Sequence, residues 1–200
     1  MSGNTYSTAP GILRETARGI DCIRIEDELM SRREIFLTDE VNAGSMNSLL
    51  KQLMYLCRDD PEKEITLYIN SPGGEVTSGF AVYDYLTLTR TPIRTVCVGQ
   101  AASMAAILFL AGDRREMLPH SELMIHDPAP AGGSLQGMKP AELAERLDRL
   151  KTTQKALWEA IARATGLPPE EIRSKTEKDS WFSAEEAVAC GLATAVVDRV

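Results

Sequence analysis

Ser103 stands in Gly99-Gln100-Ala101-Ala102-Ser103-Met104-Ala105-Ala106, one hydroxyl among small side chains where an apolar run that reads as a strand passes into an apolar helix. Small neighbours leave the hydroxyl open to a substrate backbone. The N–H groups of Ser103 and Met104 would fall at the helix N-terminus, where free donors and the helix dipole favour a developing negative charge. Such a setting suits nucleophilic attack on a carbonyl, with half of an oxyanion hole beside the attacking oxygen. A serine hydroxyl is a weak nucleophile until a base takes its proton, and the chain has two histidines, His120 and His126. His126 ends the apolar run Glu122-Leu123-Met124-Ile125-His126 and opens a Pro/Gly-rich stretch, a place where strand-end side chains meet ligands. His120 sits in a polar Pro119-His120-Ser121 turn. His126 is therefore the candidate base, against the plainer alternative of a structural strand-end histidine.

Spacing does not single out a third group among the 29 acidic residues. Asp127 adjoins His126, but neighbours on a strand point to opposite faces. Asp179, between Lys178 and Ser180-Trp181, reads by itself as part of a solvated charge run. The Ser71-Pro72-Gly73-Gly74 turn is a second local signal, because glycines after a strand permit positive φ and close approach of a ligand backbone. It could supply oxyanion-hole amides or be simply a turn.

The elements that must carry these residues alternate. Ile35-Phe36-Leu37 reads as a short strand, and the stretch from about Val41 to Cys57 places Met46, Leu49, Leu50, Leu53, Met54 and Cys57 on one helical face, ended by Asp59-Asp60-Pro61. Ile65–Ile69 is a β-branched strand, followed after the glycine turn by a helix with Val76, Phe80, Tyr83 and Leu86 inward. Ile93–Val98 leads to the Ser103 helix, and Glu122–His126 to a Pro/Gly-rich loop over Pro128–Gly137. A long helix is expected from about Pro140 to Ala164, with Leu143, Leu147, Leu150, Leu157, Trp158 and Ile161 as a stripe. Pro168-Pro169-Glu170-Glu171 starts a short helix, and Ser183-Ala184-Glu185-Glu186 matches a capping box. That helix stops at Gly191, before a last strand from about Ala193 to Val197. Residues 1–19 look mobile or partner-ordered rather than part of a core. Strands alternating with helices imply an α/β fold with a largely parallel sheet.

Composition narrows the function classes. The chain has 200 residues, 44% hydrophobic, with a net charge of −7, which fits one domain and disfavours nucleic-acid or anionic-membrane partners. Cys22, Cys57, Cys97 and Cys190 form no Cys-x-x-Cys pair and are not spaced with the histidines as metal ligands, so reduced thiols and a cytoplasmic location are expected. The apolar run Ala101–Gly112 is too short for the roughly 20 residues of a membrane span. The N-terminus lacks an apolar signal core, though its Ser/Thr content with Arg14 and Arg18 has something of a transit composition.

Taken in order, Tyr68-Ile69-Asn70-Ser71-Pro72-Gly73-Gly74, Gly99-Gln100-Ala101-Ala102-Ser103-Met104, Met124-Ile125-His126, and Asp179 before Trp181-Phe182-Ser183-Ala184-Glu185-Glu186-Ala187 resemble the proteolytic subunits of Clp proteases. The likeness covers roughly Ile35 to Val197. It implies a ClpP/crotonase-type α/β fold of repeated β-β-α units, with Ser103 as nucleophile, His126 as general base and then acid, and Asp179 holding the imidazole tautomer. It also implies that the Gly74 and Met104 amides bind the oxyanion, and that no cofactor or metal is needed. By the same resemblance the partners would be copies of itself or a paralogue in stacked heptameric rings, a Clp-family AAA+ ATPase, and unfolded polypeptide substrates. Residues 1–28 would form an axial segment and 29–200 the peptidase domain, with a handle over about 128–164.

Several features depart from the family pattern, the start of the axial segment among them. Ala105 replaces the usual glycine after Ser-Met and would narrow the approach. Asp127 replaces the usual glutamine, in a longer loop, which would alter the contact between rings. Glu177-Lys178 stands where an Asp-Arg pair usually links rings, and lysine cannot make arginine's bidentate contact, so ring stacking is expected to be weaker. These departures keep a low-activity structural or regulatory ring subunit as an alternative. A crotonase-like acyl-CoA enzyme would share the oxyanion amides, but has no need of Ser, His and Asp together. A Ser/Lys signal-peptide peptidase is disfavoured because no signal or membrane segment is read.

Overall fold

β-Branched runs extend as strands, and the amphipathic stretches between them carry the chain back over the sheet, so successive strands pair in parallel. The computed structural model describes residues 11–17, 19–130 and 137–199. In chain order the elements are β1 (Ile12–Thr16), β2 (Gly19–Ile23), α1 (Ile25–Ser31), β3 (Glu34–Leu37), α2 (Ala43–Asp59), β4 (Ile65–Ser71), α3 (Val76–Leu88), β5 (Ile93–Ala102), α4 (Met104–Leu110), β6 (Arg114–Met117), β7 (Glu122–Ile125), α5 (Pro140–Thr165), α6 (Pro169–Thr176), β8 (Ser180–Ser183), α7 (Ala184–Ala189) and β9 (Ala195–Val196). Strands β3, β4, β5, β6 and β9 pair in that order, all parallel, while β7 pairs in parallel with β5 and antiparallel with β8. The mixed α/β architecture with a mostly parallel sheet is the expected class.

Strand β5 organises the site. Its first half, Arg94 to Cys97, pairs with β6, and its last residues, Gln100 to Ala102, pair with β7. The change of partner falls at Gly99, where an added Cβ would run into the Asn70 side chain, whose Oδ1 accepts from the Gln100 N–H at 3.2 Å. Every residue of α4 is buried. Above it, α3 buries Gly79, Val82, Tyr83 and Leu86, leaving Val76 and Phe80 only half-buried. The face turns this way because Gly79 lets the Met104 side chain lie against the helix backbone. Helix α2 is capped by Asn42 and buries Met46, Leu49, Leu53 and Leu56.

The long helix runs from Pro140 to Thr165 and ends on Gly166 in the left-handed conformation. Only its C-terminal half is packed: Leu157, Ala160 and Ile161 are buried, whereas Leu143 and Leu147 are exposed. Five elements escaped the sequence. Among the described side chains the β1–β2 hairpin and α1 bury none, β6 reads as charged Arg-Arg-Glu-Met, and β8 merges with the capping box that follows it. Of the expected axial segment, residues 1–10 lie outside the described residues, as do 131–136 of the loop before α5.

A carboxylate binds β5 to β6. Glu116 is 5% exposed and accepts from Arg94 Nε at 2.8 Å and from Arg114 Nη2 at 2.6 Å. Burial pushes its carboxyl up, but the two guanidiniums outweigh burial and hold it below the usual range. A group so depressed stabilises the fold above its unfolded value near 4.5, and that contribution is lost as pH falls through the folded value. Glu116→Gln is therefore expected to cost about 1.5–3 kcal/mol at pH 7 and less at pH 4. Urea unfolding at both values checks it, and an equal cost at both would rule out the ion-pair origin.

Among the described residues no helix is long and apolar enough to cross a membrane, and no cluster of side chains could hold a metal ion. The four cysteines are free thiols.

Candidate active site

Three chain segments deliver the three side chains. Leaving β5, the backbone turns sharply at Ser103, with φ 55° and ψ −123°, a positive φ that a residue bearing a Cβ holds only at a cost of about 1–3 kcal/mol. The turn is fixed because the Ser103 N–H donates to Met124 O on β7 at 2.9 Å, while Ser103 O accepts from the Ala106 N–H at 3.0 Å. The result is a strand-to-helix elbow that projects Oγ from the sheet end.

His126 follows β7, which lies beside the last turn of β5 in the register Ala102 to Met124. The antiparallel register of β7 with β8 ends at Ile125 opposite Ser180, so one step further along sets His126 opposite Asp179. This long-range pairing is the information missing from the sequence. His126 Nε2 lies 2.8 Å from Ser103 Oγ, and Nδ1 lies 3.2 Å from Asp179 Oδ1. A proton on Nδ1, donated to the carboxylate, leaves Nε2 free to accept from the serine hydroxyl. The His126 side chain is 27% exposed and that of Asp179 is 69% exposed, so solvent weakens the outer bond. His120 is exposed and stands apart in its turn.

The glycine turn lies against the elbow. Gly73 has φ 87° and Gly74 φ 146°. Val41 holds the turn, its N–H donating to Gly73 O at 2.8 Å and its carbonyl accepting from the Glu75 N–H at 2.7 Å. A Cβ on Gly73 would sit 2.8 Å from Ser103 Cβ and 2.9 Å from Met104 N. The Gly74 and Met104 N–H groups find no acceptor among the described residues, as donors for an oxyanion require. The Ser103 N–H, expected beside them, is instead held by Met124 O.

The adjoining cleft, about 20 Å³, has apolar walls: Val76, Ile107, Ile125, Pro128, Leu157 and Ile161. Larger hollows of about 420 and 590 Å³ are each lined by one stretch of a single helix, α2 or α5, and gather no converging groups. One expectation about the departures is corrected. Ala105 is fully buried in the core and is not among the residues that line the cleft. Asp127 is half-buried and accepts from Gln154 and Trp158 of its own chain. Those partners went unread because nothing local links a residue after β7 to the middle of α5. Their spacing of four, on one helical face, was the available signal.

The arrangement can deprotonate a serine hydroxyl next to two free amide donors, the requirement for acyl transfer. The family model described as Clp protease matches residues 17–200 of the chain, reaching further towards the N-terminus than the motifs themselves.

Proposed function

This chain belongs to the Clp protease family, and we propose that it is a serine endopeptidase whose nucleophile is Ser103. The observation that carries the assignment is the contact of His126 Nε2 with Ser103 Oγ at 2.8 Å, backed by Asp179 at 3.2 Å from Nδ1. His126 takes the hydroxyl proton as Oγ adds to the peptide carbonyl, and the oxyanion that forms is received by the Gly74 and Met104 N–H groups. The imidazolium, steadied by Asp179, returns the proton to the leaving amine. Water then repeats the sequence on the acyl-enzyme, and the serine is regenerated. The apolar walls beside Ser103 favour an uncharged residue on the acyl side of the cut.

The working form would be two stacked heptameric rings, of this chain alone or with a paralogue, enclosing the serines in a chamber. A Clp-family AAA+ ATPase would feed it unfolded polypeptide. Support comes from apolar side chains left exposed on single elements: Leu143 and Leu147 on α5, the proposed handle between rings, and Leu13 and Ile20 on the β1–β2 hairpin, within the proposed axial segment.

Treatment with a fluorophosphonate probe, read by intact mass, tests the nucleophile without an unfoldase or a chosen substrate. One adduct per wild-type chain is expected, and none on Ser103→Ala of unchanged oligomeric size. A labelled Ser103→Ala, or an inert wild type in its assembled form, would overturn the assignment.

A further inference from the structure

We propose that Asp127 is a positioning residue that ties the alignment of His126 and Asp179 to the seat of α5; the proposal rests on the serine peptidase assignment above. Beyond β7 the side chains diverge, His126 towards Ser103 and Asp127 towards the opposite side. Both carboxylate oxygens of Asp127 are occupied: Oδ2 accepts from Gln154 Nε2 at 2.6 Å and Oδ1 from Trp158 Nε1 at 2.9 Å. Those donors are four residues apart on one face of α5. The Trp158 N–H is shared with Thr176 Oγ1 at 2.9 Å, and the Asp127 N–H donates to Thr176 O at 2.7 Å. Thr176, 1% exposed, is the last residue of α6, three before Asp179.

Asp127 therefore joins three segments: it sits on the strand end bearing His126, its carboxylate holds the middle of α5, and its N–H holds the stretch leading into Asp179. The β7–β8 ladder stops at Ile125 and Ser180, one step short of the His126–Asp179 pair. Past the ladder, the Asp127 and Thr176 bonds hold the two segments at a fixed separation. Hydrogen bonds to a carboxylate are short and strong, and they weaken steeply as geometry departs from ideal. A shift of α5 along its axis is thus passed to both members of the pair at once.

The test measures saturation of fluorophosphonate labelling, as kinact and KI, on assembled protein whose size and melting temperature match wild type. Gln154→Glu sets a second carboxylate against Asp127 and is expected to lower kinact by about tenfold or more, since displacements near 1 Å can cost far more than that, with KI within about twofold. Asp127→Asn added to Gln154→Glu restores a donor and an acceptor, and should bring kinact back to within about threefold of wild type. Trp158→Phe, which keeps the ring and removes the N–H, should also lower kinact and guards against a misfolded Gln154→Glu. Wild-type kinact in both single variants, or a double variant as slow as Gln154→Glu, would overturn the proposal. A wild type that is not labelled at Ser103 would instead bring down the peptidase assignment, and this proposal with it.

Discussion

His126→Ala is expected to lower kcat/KM for a fluorogenic peptide by about 10⁴–10⁶, and Asp179→Asn by about 10²–10⁴. The difference follows from the two contacts. Without the imidazole nothing within reach takes the Ser103 proton, and what survives is binding and oxyanion stabilisation alone. Without the Asp179 charge the imidazole remains, but its tautomer is no longer selected and the imidazolium is less stabilised. Asp179 is 69% exposed and 3.2 Å from Nδ1, so water already shares that role, which keeps its loss below that of His126. The three groups act as one unit, so the double variant should be no slower than His126→Ala. Additive losses, or appreciable hydrolysis by His126→Ala, would show that the 2.8 Å contact is structural.

The parts of the site that were legible in the sequence are the locally determined ones. Small residues around Ser103, the position of His126 at the end of an apolar run and the paired glycines before Glu75 are statements about a few consecutive residues, and each keeps its meaning in the fold. Asp179 was not legible from spacing, because its role depends on β8 lying antiparallel to β7, and β8 is four residues whose pattern is lost in the capping box after it. It was reached through the family resemblance instead. The same holds within the sheet. β6 carries Arg114, Arg115 and Glu116, a strand by pairing rather than propensity, since Glu116 reaches Arg94 only across the ladder. The Ser103 N–H shows the limit from the other side. Helix-end logic left it free, whereas the parallel β5–β7 register presents Met124 O to it. Tertiary pairing decided each case that local pattern missed.

Gly73→Ala is expected to lower the labelling rate of Ser103 by about 10²–10³, the range for loss of an oxyanion donor, and to destabilise the chain by about 1–3 kcal/mol. Two costs combine. The residue has φ 87°, where an L side chain is strained. Its Cβ would also lie 2.8 Å from Ser103 Cβ and 2.9 Å from Met104 N, and would press on Ala102 O. Relief requires the elbow or the turn to move, and either movement separates Met104 and Gly74, the proposed oxyanion donors. Gly166→Ala separates the two costs, because Gly166 also has a positive φ, 72°, but a Cβ there meets nothing within 4 Å. It should lose less stability, through strain alone, and label Ser103 at the wild-type rate. Labelling rates and urea midpoints of the two variants, measured side by side, decide the point. If Gly73→Ala labels as fast as Gly166→Ala, the glycine turn does not set the geometry of the attacked carbonyl, and the oxyanion donors must be sought elsewhere along α4.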